Sequence, residues 1–231
     1  NLKNILDLFN LKLMHSFTEE NYLKAIYHLS EGNVMAVSTN QIAEMTSTKA
    51  ASVTDMLKKL AEKKLINYIK YQGVTLTVSG VHAAVNIIRK HRLWEVFLVE
   101  KLGFKWDEVH DIAEELKHIN SDTLINRLDD FLGNPVADPH GDPIPDRSGL
   151  IKHKKLVKIS DMQPGESGTV SGVSEHSSLF LKLLEKMGLT LGAKIIISEL
   201  IEFDGSIMLT IDQKTERTIS REVAKNILVI L

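Results

Sequence analysis

Between Lys90 and His118 the chain sets imidazoles and carboxylates at helical spacing. His91 and Glu95 stand four apart, and His110, Glu114 and His118 repeat that interval. On helices, residues four apart share a face, one turn above another. Neutral imidazole nitrogen with carboxylate oxygen is a donor set for borderline divalent cations. A single His-x-x-x-Glu pair is also an ordinary helix-stabilising contact, whereas two stripes on successive helices point to a cation. His28, His82, His140 and His153 read instead as ordinary surface or core residues. No His-Glu-x-x-His motif is present, and nothing supplies a general base beside an open metal position, so hydrolysis is disfavoured.

The chain has no cysteine, which excludes disulfides and thiolate ligation and fits a reducing cytoplasm. By ligand softness the nitrogen–oxygen set favours Mn(II) or Fe(II); Zn(II) and other late divalent ions would also bind in vitro. No apolar stretch is long enough to span a bilayer. The segment Asn1–Leu13 is apolar but broken by Lys3, Asp7, Asn10 and Lys12. It reads as an N-terminal extension with amphipathic helical character, not a signal peptide.

The elements that must carry the cluster follow from pattern. Thr18, with Glu19 and Glu20, reads as the cap of a first helix over Tyr22–Leu29. Ser38 or Thr39 caps a short helix, Gln41–Met45; a turn at Thr46–Thr48 leads to a third helix, Lys49–Lys64, with Val53, Leu57 and Leu60 inward. Two β-prone runs, Leu65–Lys70 and Val74–Val78, flank Tyr71-Gln72-Gly73 and form the hairpin of a winged helix-turn-helix. Ser79-Gly80 opens a long helix, about Val81 to Lys101. Helices over Lys105–Ile119 and Ser121–Leu132 follow, and Gly133–Gly149, with four prolines, reads as a linker or an ordered irregular loop. From about Lys155 the grammar becomes short strands around one helix, Ser177–Gly188, as in a small SH3-like β-barrel.

Net charge is only −2 over 231 residues, so nucleic-acid binding needs a local patch. Residues 48–71 supply it: Lys49, Lys58, Lys59, Lys63, Lys64 and Lys70 stand against Asp55 and Glu62. In a winged helix the start of the third helix points into the major groove, making Thr48, Lys49, Ala51, Ser52 and Asp55 the base readers. Ser38, Thr39, Lys58 and Lys59, with Lys70 and Gln72 on the wing, would hold phosphates. The alternative is a solvated basic helix, and the appended hairpin favours DNA.

Several stretches resemble the diphtheria-toxin-repressor family of iron- and manganese-dependent transcriptional repressors. They are Tyr22-Leu23-Lys24-Ala25-Ile26-Tyr27, Gln41-Ile42-Ala43-Glu44, Ser52-Val53-Thr54, Leu76-Thr77-Val78-Ser79-Gly80, Lys90-His91-Arg92-Leu93-Trp94-Glu95 and Glu108-Val109-His110-Asp111. The loop Asp138-Pro139-His140-Gly141-Asp142-Pro143-Ile144-Pro145 belongs to the same resemblance, which runs from about Thr18 to Asp146. Residues 155–231 look like the family's C-terminal domain.

The resemblance implies one metal site at His91, Glu95 and His110, with His176 and Glu175 of the C-terminal domain near it. It implies a second at Asn21, Glu114, Lys117 and His118. Glu at position 114 points to the manganese type. Lys117 departs from the family's glutamate, since an ammonium has no lone pair and repels a cation. Either Lys117 swings out and leaves a weakened site, the reading taken here, or it pairs with Glu114 and the site is lost.

The expectation is a mainly α chain: an extension (1–17), a winged helix-turn-helix domain (18–80), a helical metal-binding and dimerisation domain with its Pro-rich loop (81–150), and an SH3-like (FeoA-like) barrel (151–231). Its function would be a cytoplasmic, homodimeric, Mn(II)-sensing repressor on a palindromic operator, controlling metal-uptake genes. In that picture metal ties the first, long and following helices together. A winged-helix regulator of an organic ligand is the alternative, and a metal-dependent hydrolase the remote one.

Overall fold

The computed structural model describes residues 15–69 and 72–231. The extension Asn1–Leu13 and the expected phosphate contact Lys70 fall outside the described residues. Two compact units result, one ending at Ile88 and the other running from Arg89 to Leu231.

In the first unit, α1 (Phe17–Leu29) begins five residues earlier than the Tyr22 start read from sequence. Ser16, not Thr18, is its cap. The Ser16 hydroxyl accepts the Glu19 N–H at 3.3 Å and Glu19 returns the bond to the Ser16 N–H at 2.8 Å. This reciprocal box satisfies two backbone donors that a helix start leaves open. Ser38 and Gln41 build the same box at α2 (Thr39–Met45). Helix α3 (Ala50–Glu62) follows Lys49 and turns Val53, Leu57 and Leu60 into the core with no exposure. Each such side chain contributes about 1.5–3 kcal/mol on burial. The wing is β1 (Ile66–Ile69) against β2 (Gly73–Leu76), antiparallel, with Val37 bridging to Val74 beside it.

Helix α4 (Val78–Leu102) starts earlier than its pattern implied. The Thr77 hydroxyl takes the Gly80 N–H at 3.1 Å, so Ser79 and Gly80 lie inside the helix and do not cap it. Gly80 is there for space: a β-carbon would sit 1.9 Å from the Leu65 carbonyl oxygen.

In the second unit, α5 (Val109–Leu116) and α6 (Asp122–Phe131) pack on α4 through Leu93, Val96, Val109, Ala113, Ile125 and Leu128. Helix α5 is shorter than the Lys105–Ile119 expected, and Ser121 caps α6. The C-terminal sheet is wholly antiparallel: β3 (Val157–Lys158), β4 (Ser167–Val173), β5 (Lys194–Leu200), β6 (Ile207–Ile211), β7 (Thr215–Ile219) and β8 (Ile227–Ile230), in the order β3-β8-β4-β5-β6-β7. Helix α7 (Ser178–Met187) closes its core with Leu181 and Leu184. A short helix, α8 (Arg221–Lys225), and a 3-10 turn at Ile159–Asp161 were not legible as pattern.

Candidate functional site

The winged-helix surface is positioned from within. Thr48 bonds the Tyr22 hydroxyl at 3.0 Å and Thr46 at 2.8 Å, which fixes the turn into α3. Lys49, Ala51, Ser52 and Asp55 are exposed along the first half of that helix, as a groove reader requires. Lys58 is exposed and pairs with Asp55 at 3.1 Å. Ser38 and Gln72 are exposed and Thr39 is half-buried, while Ser38 spends its hydroxyl on Gln41.

Lys59, an expected phosphate contact, is exposed and also reaches Glu19. Its ammonium lies 3.1 Å from Glu19, which also receives Lys63 at 2.8 Å. Burial works to raise the Glu19 pKa, but the Lys63 bond, the Ser16 N–H and Lys59 together hold it below the usual carboxylate range. Glu19 therefore locks α3 to α1.

The candidate metal-binding cluster of the second unit is centred on Glu95. Because α4 is helical here, His91 and Glu95 share a face, and both are buried. Glu95 Oε1 faces His91 Nε2 at 2.9 Å and His110 Nδ1 at 3.5 Å. The rings of His91 and His110 meet edge to face at 5.0 Å. The other oxygen, Oε2, faces His140 Nδ1 at 3.6 Å. Burial would raise the Glu95 pKa, yet hydrogen bonds to His110, His140 and His91 hold it far below an ordinary carboxyl.

His140 corrects the sequence reading, which had set it aside as ordinary. It is 1% exposed, and its ring stacks on Trp106 with 24° between planes. Its Nε2 lies 2.8 Å from the Trp106 carbonyl oxygen, which can only accept, so Nε2 carries a proton. The Nδ1 position is thereby turned towards Glu95. Fixing one ring nitrogen on a carbonyl is how protein scaffolds aim the other at a metal. A 3.6 Å gap is close to the ~3–3.5 Å that separates neighbouring ligands bonded at about 2.1 Å.

The loop that delivers His140 is ordered throughout. Asp138 accepts the backbone N–H groups of His140 (2.8 Å) and Asp142 (3.0 Å). Gly141 adopts φ +90°, and a β-carbon there would lie 2.1 Å from the Ser171 carbonyl oxygen of β4. Arg92, one turn before Glu95, grips the loop at Asp142 (3.1 Å), Asp138 (3.5 Å) and the Pro143 carbonyl. Burial, then the Glu95 and Asp142 charges, push Asp138 up to about 8. For His140 burial acts downward, but the Glu95 bond and charge win and raise it to about 9.

Among the described residues, two groups bring donor atoms within mutual reach: His91, His110 and Glu114, and Glu95, Asp138 and His140. Glu114 thus joins the first set, 3.2 Å from His91 Nδ1. Lys117 does not swing out. It is fully buried and ion-paired with Glu114, which corrects the reading taken from sequence. Neither group contains Asn21, exposed on α1, or half-buried His118. His176 packs its ring 4.9 Å from that of His140, with Nε2 3.2 Å from the Val173 carbonyl, and lies outside both groups. Burial keeps its pKa low. Glu175 accepts the Ser177 N–H at 2.7 Å at the start of α7, is exposed and belongs to neither group.

The signal for His140 was on the page: an acid and an imidazole two apart in a proline-framed loop. With no helical period to read, it had no face to belong to.

Comparison with known proteins agrees with this architecture. Three family models match in order: an iron-dependent repressor N-terminal DNA-binding domain (residues 14–74), an iron-dependent repressor metal-binding and dimerisation domain (residues 77–146) and a FeoA domain (residues 157–231). The iron-dependent repressor IdeR of Mycobacterium leprae is 27% identical over 219 residues, covering 90% of this chain and 94% of the relative. An uncharacterised helix-turn-helix-type regulator of Methanocaldococcus jannaschii is 36% identical over 49% of this chain and 90% of its own length. Among solved structures, a manganese-dependent transcriptional repressor in complex with manganese superposes with TM-score 0.82 at 36% identity, covering 92% of this chain and 99% of that one. ScaR with bound Zn2+ gives 0.74 at 32% identity, covering 92% and 98%. With three domain models in register and a relative of this identity matched over nearly its whole length, the chain belongs to the diphtheria-toxin-repressor family of metal-dependent transcriptional repressors.

Proposed function

We propose that this repressor senses Mn(II), with Fe(II) as the second candidate, and that it acts as a cytoplasmic homodimer on a palindromic operator of metal-uptake genes. The observation that carries the metal reading is Glu95, a buried carboxylate facing His91 and His110 through one oxygen and His140 through the other. The residues that would hold the ion are His91, Glu95, His110 and His140, with Asp138 beside them. A hard–borderline set with no sulfur suits Mn(II) and Fe(II), while Zn(II) would be taken in vitro. A bound divalent ion would take the place of the imidazole protons that face Glu95 in the metal-free protein.

Support for DNA comes from the exposed first half of α3, where Thr48, Lys49, Ala51, Ser52 and Asp55 would meet bases. Ser38, Thr39, Lys58 and Gln72 would hold phosphates. Lys59, exposed beside Glu19, would add its charge to the same surface. The matched dimerisation domain supports the homodimer. No described helix is long and apolar enough to cross a membrane. Metal and DNA must raise each other's affinity by one factor, since coupling between two binding sites is reciprocal.

The test is selection of duplexes from a random pool by the full chain, with Mn(II) or with a chelator. Enrichment of a palindrome with Mn(II) alone is expected. Equal enrichment with chelator would refute metal sensing, and enrichment only with an added organic metabolite would favour the alternative regulator.

A further inference from the structure

Lys117 is among the largest fully buried side chains of the protein, and it lies against the metal cluster. Its ammonium pairs with Glu114 Oε2, whose partner oxygen Oε1 lies 3.2 Å from His91 Nδ1. On the far side of the same ring, His91 Nε2 faces Glu95 at 2.9 Å. Four groups therefore stand in line: ammonium, carboxylate, imidazole, carboxylate.

In the metal-free protein His91 donates Nε2–H to Glu95; when a cation takes Nε2, the Glu114 carboxylate 3.2 Å from Nδ1 is placed to hold the remaining ring proton there. This is the same logic by which the Trp106 carbonyl aims His140 from the other side, and it is how outer groups orient metal-binding histidines. Glu114 can do this only if it stays ionised and fixed, and Lys117 meets both needs. A divalent ion placed on Glu114 would have to share it with an ammonium in direct contact, and like charges so close repel strongly.

We propose that Glu114 and Lys117 are not a second cation site but the positioning pair of the first, so that each chain takes a single divalent ion in this cluster. This rests on the proposed centre around Glu95. The residues at positions 114, 117 and 118 do not fit a further ion, and the chain replaces that ion by a charge of its own. Operator binding would then track one occupancy per chain.

The experiment loads metal-free full-length protein with Mn(II) and reads ions per chain and affinity for wild type, Glu114→Ala, Glu114→Gln and Lys117→Met. Circular dichroism checks folding. Expected are one ion in all four and an affinity loss of about 10–100-fold in Glu114→Ala, as for other orienting groups. Glu114→Gln should recover part of that loss, because its carbonyl can still accept from Nδ1–H. Lys117→Met, which keeps the bulk, should weaken binding without changing the count. In the Zn(II)-loaded protein, nitrogen NMR should show the His91 proton on Nδ1 in wild type and lose that signature in Glu114→Ala.

Two ions in wild type with one lost in Glu114→Ala would overturn the proposal, as would one ion with unchanged affinity in every variant. Complete loss of the single ion in Glu114→Ala would make Glu114 a ligand and also overturn it. No ion in wild type is a different failure, that of the centre itself.

Discussion

Removing the His140 ring tests the Glu95-centred reading most sharply, because that ring was the residue hidden from sequence patterning. In His140→Ala the Trp106 carbonyl loses its 2.8 Å donor and Glu95 Oε2 loses the imidazole 3.6 Å away. Groups that only orient a ligand cost about 10–100-fold in metal affinity, so a nitrogen facing the carboxylate directly should cost at least ~100-fold. Ligand binding stabilises a fold by RT ln(1 + [L]/Kd). At free Mn(II) a hundred times the wild-type Kd this is about 2.7 kcal/mol. A chain of this size moves by about 2–4 °C per kcal/mol, giving a rise of roughly 5–11 °C in Tm. In His140→Ala the same Mn(II) would only equal Kd, leaving about 0.4 kcal/mol and a shift of roughly 1–2 °C. The assay is thermal unfolding followed by circular dichroism, with and without Mn(II). Equal Mn(II)-induced shifts in the two proteins would refute the place given to His140.

Glu19→Gln should destabilise the winged-helix unit by about 1.5–3 kcal/mol in urea titration, the scale of charged hydrogen bonds lost. Its pH behaviour has a definite sign. The folded pKa lies below the ordinary glutamate value of about 4.5, so the contribution is present above about 4.5 and lost as pH falls through the folded value. The variant should show a flatter acid limb. Lys58→Ala should leave stability nearly unchanged, because its pair with Asp55 is exposed. Operator affinity should fall with a salt slope smaller by about one unit, read by fluorescence anisotropy across a salt series. In metal-free protein His140 has a raised folded pKa, so its contribution is full below its ordinary 6.5 and is lost as pH rises through about 9. Denaturant midpoints should decline over that window in wild type and not in His140→Gln.

Much of this molecule was legible because helices and strands advertise themselves by period. Val53, Leu57 and Leu60 marked the buried face of α3, and His91 with Glu95 marked a shared face of α4. What period cannot convey is where a loop returns. His140 and Asp138 reach Glu95 through an Asx turn, a positive-φ glycine and an Arg92 clamp, none of which leaves a rhythm in sequence. Helix ends were misread for a related reason. Thr18 and Ser79 both have capping chemistry, but Ser16 and Thr77 stand where the chain turns. The family resemblance also assigned Glu114 and Lys117 to their own site, whereas packing gives Glu114 to His91.

The Gly141 backbone lies so close to β4 that no side chain fits, and the His140 carbonyl takes the Val173 N–H at 3.0 Å. The donor-bearing loop is thus stitched, main chain to main chain, onto a strand that reads as part of a separate module. Modules can ordinarily be exchanged or discarded in evolution when only their surfaces meet. Here the β-sheet domain is a tenant that cannot leave without taking a wall, and changes along β4 would retune the metal response without altering any ligand.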